Sequence, residues 1–392
     1  MTRTSPLGRP MRVLSLYPTF WPRQGGGQMV LAAIAQGLSP HITNVVLTRR
    51  LHDTPARQQY EYLSVERFTN PAPPVWKEYA TGVRHVPFWK KTIVTALDVG
   101  CALPRLRRLA ADADLIHLHF PLPLGISALL VRPLVKRPLV VTVHGNADVY
   151  ELPRAMEPVT RAVLTRADAV VSVSHDLGDY LRGVMKVPRV TVIPNGVDVA
   201  QFVPSDHQGD RLTLLSVSRL VPRKNVDVLI AAVDRLAAEG ARLLLVIAGT
   251  GPEEDKIRRL AAERPQTVRF EGFITEDRKR ELLHESDVFV QLSIREGLSI
   301  ATLEALASGV PCLVSDLPGV REPVDAGKTG WFVQDPESVD SVVAALRAVL
   351  ADRPRLAEMR RTCRAVAESK YSLEAMCDGY WNLFTSLVKG TR

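Results

Sequence analysis

The 392-residue chain is 46% hydrophobic and 23% charged, the balance of an ordinary soluble globular protein long enough to bury two cores. Its four cysteines, Cys101, Cys312, Cys363 and Cys377, stand scattered among apolar residues, which excludes a disulfide framework and a zinc site and fits reduced thiols. The net charge of +8 is uneven: the first 205 residues hold 24 Lys and Arg against 14 Asp and Glu, either as a solvated surface or as a face toward an anionic substrate, membrane or nucleic acid.

Residues 1–10 read as a flexible leader. No stretch approaches about 18 uninterrupted apolar residues, and the N-terminus lacks the apolar core of a signal peptide, so the expected location is cytoplasmic. From residue 11 short apolar runs alternate with helical patterns. Residues 13–17, 45–48, 115–119, 139–144, 169–174 and 190–193 read as buried strands. The rhythm restarts at 212–218, 243–248, 268–271, 288–291, 311–315 and 330–333. Such alternation predicts two doubly wound α/β domains with parallel sheets, over residues 11–200 and 201–370. Turn chemistry at Pro194-Asn195-Gly196-Val197-Asp198 and a polar stretch at 204–210 place the linker. Residues 371–392, with Trp381, Leu383 and Leu387, read as a final helix returning to the first domain; residues 51–100 are the least regular. Ligands of such sheets bind beyond the carboxyl ends of the strands, so function is sought in the loops there and in a cleft between the domains.

Several of those loops carry suggestive chemistry. The first, residues 18–28, runs through Gly25-Gly26-Gly27 into a helix, letting backbone approach a ligand and offering N–H groups to an anion; plain loop flexibility is the other reading. His119 and His144 stand at strand ends toward the cleft, whereas His117 is expected inside the sheet. Arg219 and Lys224 lie in the turn after the first strand of the second domain, where two cations can clamp a diphosphate or simply form a solvated basic turn. Gly249-Thr250-Gly251-Pro252 is a small-residue turn into a helix, suited to lining a nucleotide. In residues 295–311 Glu296 falls in a loop and Glu304 inside a helix started by Gly297 and Ser299. Eight helical residues rise about 12 Å, too far for one shared proton and right for the two ends of a long ligand. The N–H groups of Leu298, Ser299 and Ile300 between them suit a phosphate.

Taken in order, these segments resemble the retaining glycosyltransferases of family 4, which have the GT-B architecture of two Rossmann-like domains facing a cleft and use nucleotide sugars. The resemblance rests on Gly25 to Gly27, Thr142-Val143-His144-Gly145, Ile193 to Asp198, Arg219 with Lys224, Gly249 with Gly251, and the Glu-x7-Glu segment. It implies that Glu304 binds the ribose and Glu296 the transferred sugar, that Arg219 and Lys224 hold the diphosphate, and that Leu298, Ser299 and Ile300 reach the phosphates through backbone. Gly26 and Gly27 would approach from the other domain, and His144 would contact the sugar near its reacting carbon. The family's usual Glu-Gly-Phe-Gly reads Glu296-Gly297-Leu298-Ser299 here, a departure compatible with a helix cap that bears on which donor sugar fits.

The implied reaction moves a hexosyl group from a nucleotide-diphosphate sugar to a hydroxyl of a saccharide, a lipid-linked or a phosphorylated acceptor, in cell-surface glycan or glycoconjugate synthesis. Front-side attack assisted by the leaving phosphate is favoured, with Asp148 as an alternative nucleophile. No Asp-x-Asp motif precedes a candidate sugar site and the cation pair can neutralise the leaving group, so no metal or other cofactor is expected. A retaining phosphorylase or sugar-phosphate synthase of the same fold is the nearest rival, and a non-catalytic nucleotide-sugar scaffold the rival of another class. Nucleic acid is not an expected partner. An aromatic and basic run, Val75-Trp76-Lys77-Glu78-Tyr79 with Arg84 and Phe88-Trp89-Lys90-Lys91, suits either an acceptor-side loop or peripheral contact with an anionic inner leaflet.

Overall fold

The structure, a computed structural model, describes residues 3, 5–21, 25–51, 53–73, 88–145, 149, 154–204 and 209–390. It divides into two compact units: one of residues 1–195 with 374–392, the other of residues 196–373.

In the first unit the chain runs β1 (Met11–Tyr17), α1 (Gly26–Gly37), β2 (Ile42–Arg49), β3 (Arg57–Gln59), β4 (Leu63–Phe68), α2 (Phe88–Asp112), β5 (Leu115–His119), α3 (Leu124–Val135), β6 (Leu139–Val143), α4 (Glu157–Arg166), β7 (Ala169–Ser172), α5 (His175–Gly183) and β8 (Val190–Val192). Eight strands form one sheet in the order β3-β4-β2-β1-β5-β6-β7-β8. The β3–β4 hairpin is antiparallel and the other pairings are parallel. Strands β5, β6 and β7 are buried at every position, the mark of a sheet covered on both faces.

The second unit continues β9 (Leu212–Val217), α6 (Val226–Ala238), β10 (Leu243–Ala248), α7 (Glu254–Ala262), β11 (Val268–Gly272), α8 (Glu276–His284), β12 (Val288–Gln291), α9 (Ile300–Ala307), β13 (Cys312–Ser315), β14 (Gly330–Val333), α10 (Val339–Ala351) and α11 (Leu356–Lys370). Its six strands are all parallel, in the order β11-β10-β9-β12-β13-β14. The order reverses between β9 and β12, so the loops after these two strands diverge at the switch point where such sheets take ligands. Leu214, Leu245, Ile247, Val290 and Leu313 centre its core, with Leu229, Val233 and Leu346 of the flanking helices packed on them. Side-chain caps start several helices: Thr275 accepts from the Arg278 N–H, Ser299 from Thr302 and Ser338 from Ser341.

The last helix, α12 (Leu373–Gly390), groups with the first unit. Its buried stripe is Cys377, Tyr380, Trp381, Phe384 and Val388, the i, i+3, i+4, i+7 spacing of one helical face, while Leu383 and Leu387 are only half-buried. The Tyr380 hydroxyl lies 3.2 Å from Thr142 Oγ1 of β6, and Phe384 meets the His117 ring edge-on with centroids 5.3 Å apart.

The expected strands are present, but β3 and β4 lie in the irregular region and were not anticipated. Arg67 breaks the apolar alternation of β4; it is nonetheless buried, its guanidinium donating to the carbonyls of Pro55 and Trp21. Of the aromatic and basic run, residues 75–79, Arg84 and the side chains of Phe88 and Lys91 lie outside the described residues, as does Asp148. Trp89 is 54% exposed with Lys90 5.3 Å above its ring.

Where β9 and β10 end, the two loops are welded together. Leu220 N–H donates to Thr250 O at 2.9 Å and Glu253 N–H to Leu220 O at 3.0 Å. Gly249 has φ +137°, and a Cβ there would sit 1.8 Å from the Ser218 carbonyl oxygen, so only glycine permits the contact. Gly249→Ala combines strained backbone with a steric clash and is expected to destabilise the second unit by about 2–5 kcal/mol. Urea unfolding checks this; a loss under about 0.5 kcal/mol, the size of an ordinary surface substitution, contradicts it.

Candidate functional site

The second unit gathers its polar side chains at the switch point. After β9 the chain turns through the short 3-10 helix Pro222–Lys224 and places Asn225 at φ +51°, its side-chain amide donating to Leu292 O at 3.1 Å. Ile294 N–H donates back to Arg223 O at 3.0 Å. These bonds lay the loop after β12 along the loop after β9 and bring Lys224 Nζ onto Glu296 Oε1 as an ion pair. Behind it, Gly319 packs so closely that a Cβ would lie 2.4 Å from the Glu296 carbonyl. The half-buried Glu296 carboxyl is held below the ordinary carboxylate range: burial opposes ionisation, but the charge and hydrogen bond of Lys224, the charge of Arg223 and a hydrogen bond from Ser293 outweigh it. Arg219, in the welded loop beside Gly249 and Gly251, is exposed.

Helix α9 follows at once. Ser299 caps it, Leu298 and Ser299 are buried, and the first-turn N–H groups at Ile300 and Ala301 precede any carbonyl able to bond them within the helix. About one turn on, Glu304 is 4% exposed and its Oε1 accepts from Lys279 Nζ of α8 at 2.7 Å. Burial pushes the Glu304 carboxyl above its ordinary range although Lys279 pulls the other way. Lys279 also reaches Glu276 at 2.7 Å, and the two carboxylates keep its ammonium above its ordinary value despite burial. The two glutamates of the eight-residue spacing are therefore separately paired, one lysine each. Lys279 was not anticipated: it sits in the charged run Glu276-Asp277-Arg278-Lys279-Arg280, which reads as a solvated helix face.

In the first unit a second cluster forms where β1, β5 and β6 end. His119 Nδ1 and His144 Nε2 are hydrogen-bonded at 2.8 Å with stacked rings, and His117 Nε2 bonds Thr142 Oγ1 at 2.8 Å. His117 lies inside the sheet, as its alternation suggests. His119 corrects the expectation of an open strand end, being fully buried under Tyr17, His117 and His144. His144 is half-buried, next to Phe120, which is held at φ +72°. Burial lowers both His117 and His144 to about 3, and lowers His119 as well, so the cluster is uncharged at neutral pH. Gly26 opens α1, and Gly27 lies where a Cβ would come within 2.6 Å of the Tyr17 hydroxyl.

Comparison with known proteins identifies the scaffold. Residues 200–369 match the family described as Glycosyl transferases group 1, and residues 24–201 match Glycosyltransferase Family 4. A GDP-mannose-dependent alpha-(1-6)-phosphatidylinositol monomannoside mannosyltransferase of Mycobacterium tuberculosis is 31% identical over 282 residues, 65% of this chain and 72% of the relative. The chain belongs to the family-4 glycosyltransferases. A putative glycosyltransferase EpsF of Bacillus subtilis is 35% identical over 220 residues, 52% of this glycosyltransferase and 56% of EpsF. Among solved structures, sucrose-phosphate synthase of Thermosynechococcus elongatus superposes with a TM-score of 0.82 at 20% identity, covering 97% of this chain and all of that one. Anabaena HepE with UDP-glucose gives 0.73 at 19% identity, covering 96% and 100%. The two doubly wound units are thus the GT-B fold.

Among the described residues of this glycosyltransferase, the helices include none long and apolar enough to cross a membrane. Its second unit brings Lys224, Glu296, Leu298, Ser299 and Ile300 into contiguous loops, and sets Glu304 behind them on Lys279. Lys279→Met leaves a buried carboxyl without its counter-ion and is expected to cost about 3–5 kcal/mol, most of it recovered when Glu304→Gln is added. Denaturant unfolding of single and double variants decides; a double variant no more stable than Lys279→Met overturns the pairing.

The histidines carry a pH signature. With a folded value near 3 against about 6.5 unfolded, His117 stays neutral while the unfolded chain takes up a proton, so stability falls as pH drops below about 6.5. His117→Gln is expected to remove about 2 kcal/mol of the loss between pH 7.5 and 5. Urea titrations at the two pH values measure it, and an equally steep loss in the variant sinks the assignment.

Proposed function

We propose that this family-4 glycosyltransferase moves a hexosyl group from a nucleotide-diphosphate sugar to a hydroxyl acceptor with retention of anomeric configuration, in glycan or glycoconjugate synthesis. The observation that carries this reading is the second unit's line of groups: the Lys224–Glu296 pair, the N-terminus of α9 directly after it, and Glu304 about one turn farther on. Glu304 takes the ribose hydroxyls, exchanging part of its bond to Lys279. The N–H groups of Leu298, Ser299 and Ile300 face the phosphates, where the helix dipole favours negative charge. Glu296, already ionised and oriented, accepts from the hydroxyls of the transferred sugar. Gly249 and Gly251 hold the loop that carries Arg219 close to the nucleotide. The roles that the resemblance gives Gly26, Gly27 and His144 belong to the same proposal and are supported by the place of the two glycines at the start of α1 and of His144 directly after β6; a neutral His144 offers the sugar a hydrogen bond rather than a charge.

In the proposed step the bond from the anomeric carbon to the diphosphate oxygen breaks while the acceptor oxygen forms its bond on the same face. The acceptor proton passes to the departing diphosphate. Arg219 and Lys224 offset the charge that develops there, a stabilisation strongest where water is excluded. The relatives' names support a glycosyl acceptor in a glycan or lipid-linked molecule, and a phosphatidylinositol mannoside is what the mycobacterial relative is named for.

Thermal shifts with UDP, GDP and ADP identify the base, since a ligand at 100 times its dissociation constant stabilises by about 2.7 kcal/mol. With the matching sugar as donor, product anomers read by NMR test retention, and turnover unchanged in EDTA tests the cation pair. Glu304→Gln is expected to weaken nucleoside diphosphate binding about tenfold or more, whereas Glu296→Gln lowers kcat about 100-fold with nucleotide affinity nearly intact. Equal losses of both properties in both variants would overturn the division of roles.

A further inference from the structure

Strand β12 ends on Gln291, a polar residue in an apolar run between Val290 and Leu292, and its side chain is buried. A primary amide has two N–H donors and a carbonyl that accepts twice, and all four capacities are used. Its Oε1 accepts from Ser299 Oγ at 2.6 Å and from Thr302 Oγ1 at 3.0 Å. Its Nε2 donates to Ser293 Oγ at 3.1 Å and to Glu296 Oε1 at 3.2 Å. The neighbours dictate this orientation: the Glu296 carboxylate only accepts, so the NH2 group must face it and the carbonyl must face the hydroxyls.

One rigid planar group thus connects the loop carboxylate to the cap of α9. Ser299 stands where Glu-Gly-Phe-Gly has its second glycine, and its hydroxyl does two things a glycine cannot, accepting from Thr302 N–H at 3.3 Å and donating to Gln291. We propose that Gln291 is a positioning residue for glycosyl transfer, acting through Glu296, and that Ser299 is its coupled partner, the two together fixing the carboxylate relative to the helix N-terminus. This rests on the reading of Glu296 as the group that holds the transferred sugar. Glu296 is then oriented from three sides, by Lys224, Gln291 and Ser293, with Arg223 as the further nearby charge. Loss of one donor lets the carboxylate turn, and misplacement on the order of 1 Å can cost about 100-fold in rate.

The test uses the 392-residue chain with Gln291→Leu, Ser299→Gly, the double variant, and Gln291→Glu. Gln291→Leu is expected to lower kcat about 10- to 100-fold while changing affinity less than about threefold for whichever of UDP, GDP and ADP gives the largest thermal shift. With leucine at 291 the serine hydroxyl has no acceptor left to lose, so Ser299→Gly costs less there than in the wild type. Losses in kcat that simply multiply overturn the coupling. Gln291→Glu is nearly isosteric and keeps an acceptor for Ser299 and Thr302, but sets a second carboxyl against Glu296, so the acid limb of its kcat profile moves to higher pH. An unmoved limb with wild-type kcat overturns the positioning role even if Gln291→Leu fails to fold. A wild type inactive on all sugar donors of the matching base overturns the functional reading instead. Melting temperatures of the four proteins of the double-mutant cycle, taken without ligand, then show separately whether the Gln291–Ser299 link exists.

Discussion

The pairing of Lys224 with Glu296 joins the loops after two strands that lie side by side at the point where the second sheet reverses its order. Everything else at that end of the unit is arranged around this closure. The left-handed Asn225 turns the chain so that its amide reaches Leu292, the backbone of Ile294 returns a bond to Arg223, and Gly319 backs the carbonyl of Glu296. Burial works against ionisation of this carboxyl, and Lys224, with Arg223 and Ser293 behind it, outweighs that effect and favours the anion. In the proposed reaction a sugar hydroxyl meets a carboxylate already ionised and already oriented, with little reorganisation left to make during the reaction itself.

The first unit solves a different electrostatic problem. It holds the positive excess of the chain, yet the three histidines of its β5–β6 cluster are neutral. Burial beneath Tyr17, Phe120 and α12 removes the water that would solvate an imidazolium. The basic character of this half therefore resides in its surface arginines and lysines, and its strand ends offer hydrogen bonds rather than charge.

Much of the architecture was legible because a parallel sheet with both faces covered writes itself as short, mostly apolar runs: residues 115–119, 243–248, 288–291 and 330–333 coincide with their strands. The β3–β4 hairpin was not legible, because Arg67 belongs inside it and its burial depends on carbonyls distant in sequence. The Glu-x7-Glu spacing, the cap at Ser299 and the basic turn at Arg219 and Lys224 could all be read locally. Their partners could not. That Lys224 meets Glu296 follows from strand order, and that Lys279 serves Glu304 from a side-chain contact between α8 and α9, neither of which leaves a local mark. Gln291 resembled one more strand residue; only the convergence of Ser293, Glu296, Ser299 and Thr302 around it shows what the amide is for.

The last helix gives the first unit a discontinuous sequence. A chain leaving the ribosome completes β1 to β8 and then the whole second unit before Tyr380 and Phe384 exist to cover His117 and Thr142. For that interval the first sheet has an open apolar face, each missing large side chain withholding about 1.5–3 kcal/mol of burial. The order of synthesis therefore runs opposite to the usual N-terminal-first maturation of domains: the second unit can be finished while the first still waits for its closing element, and a chain stopped before residue 373 would carry the Lys224–Glu296 pair intact beside an unfinished histidine cluster.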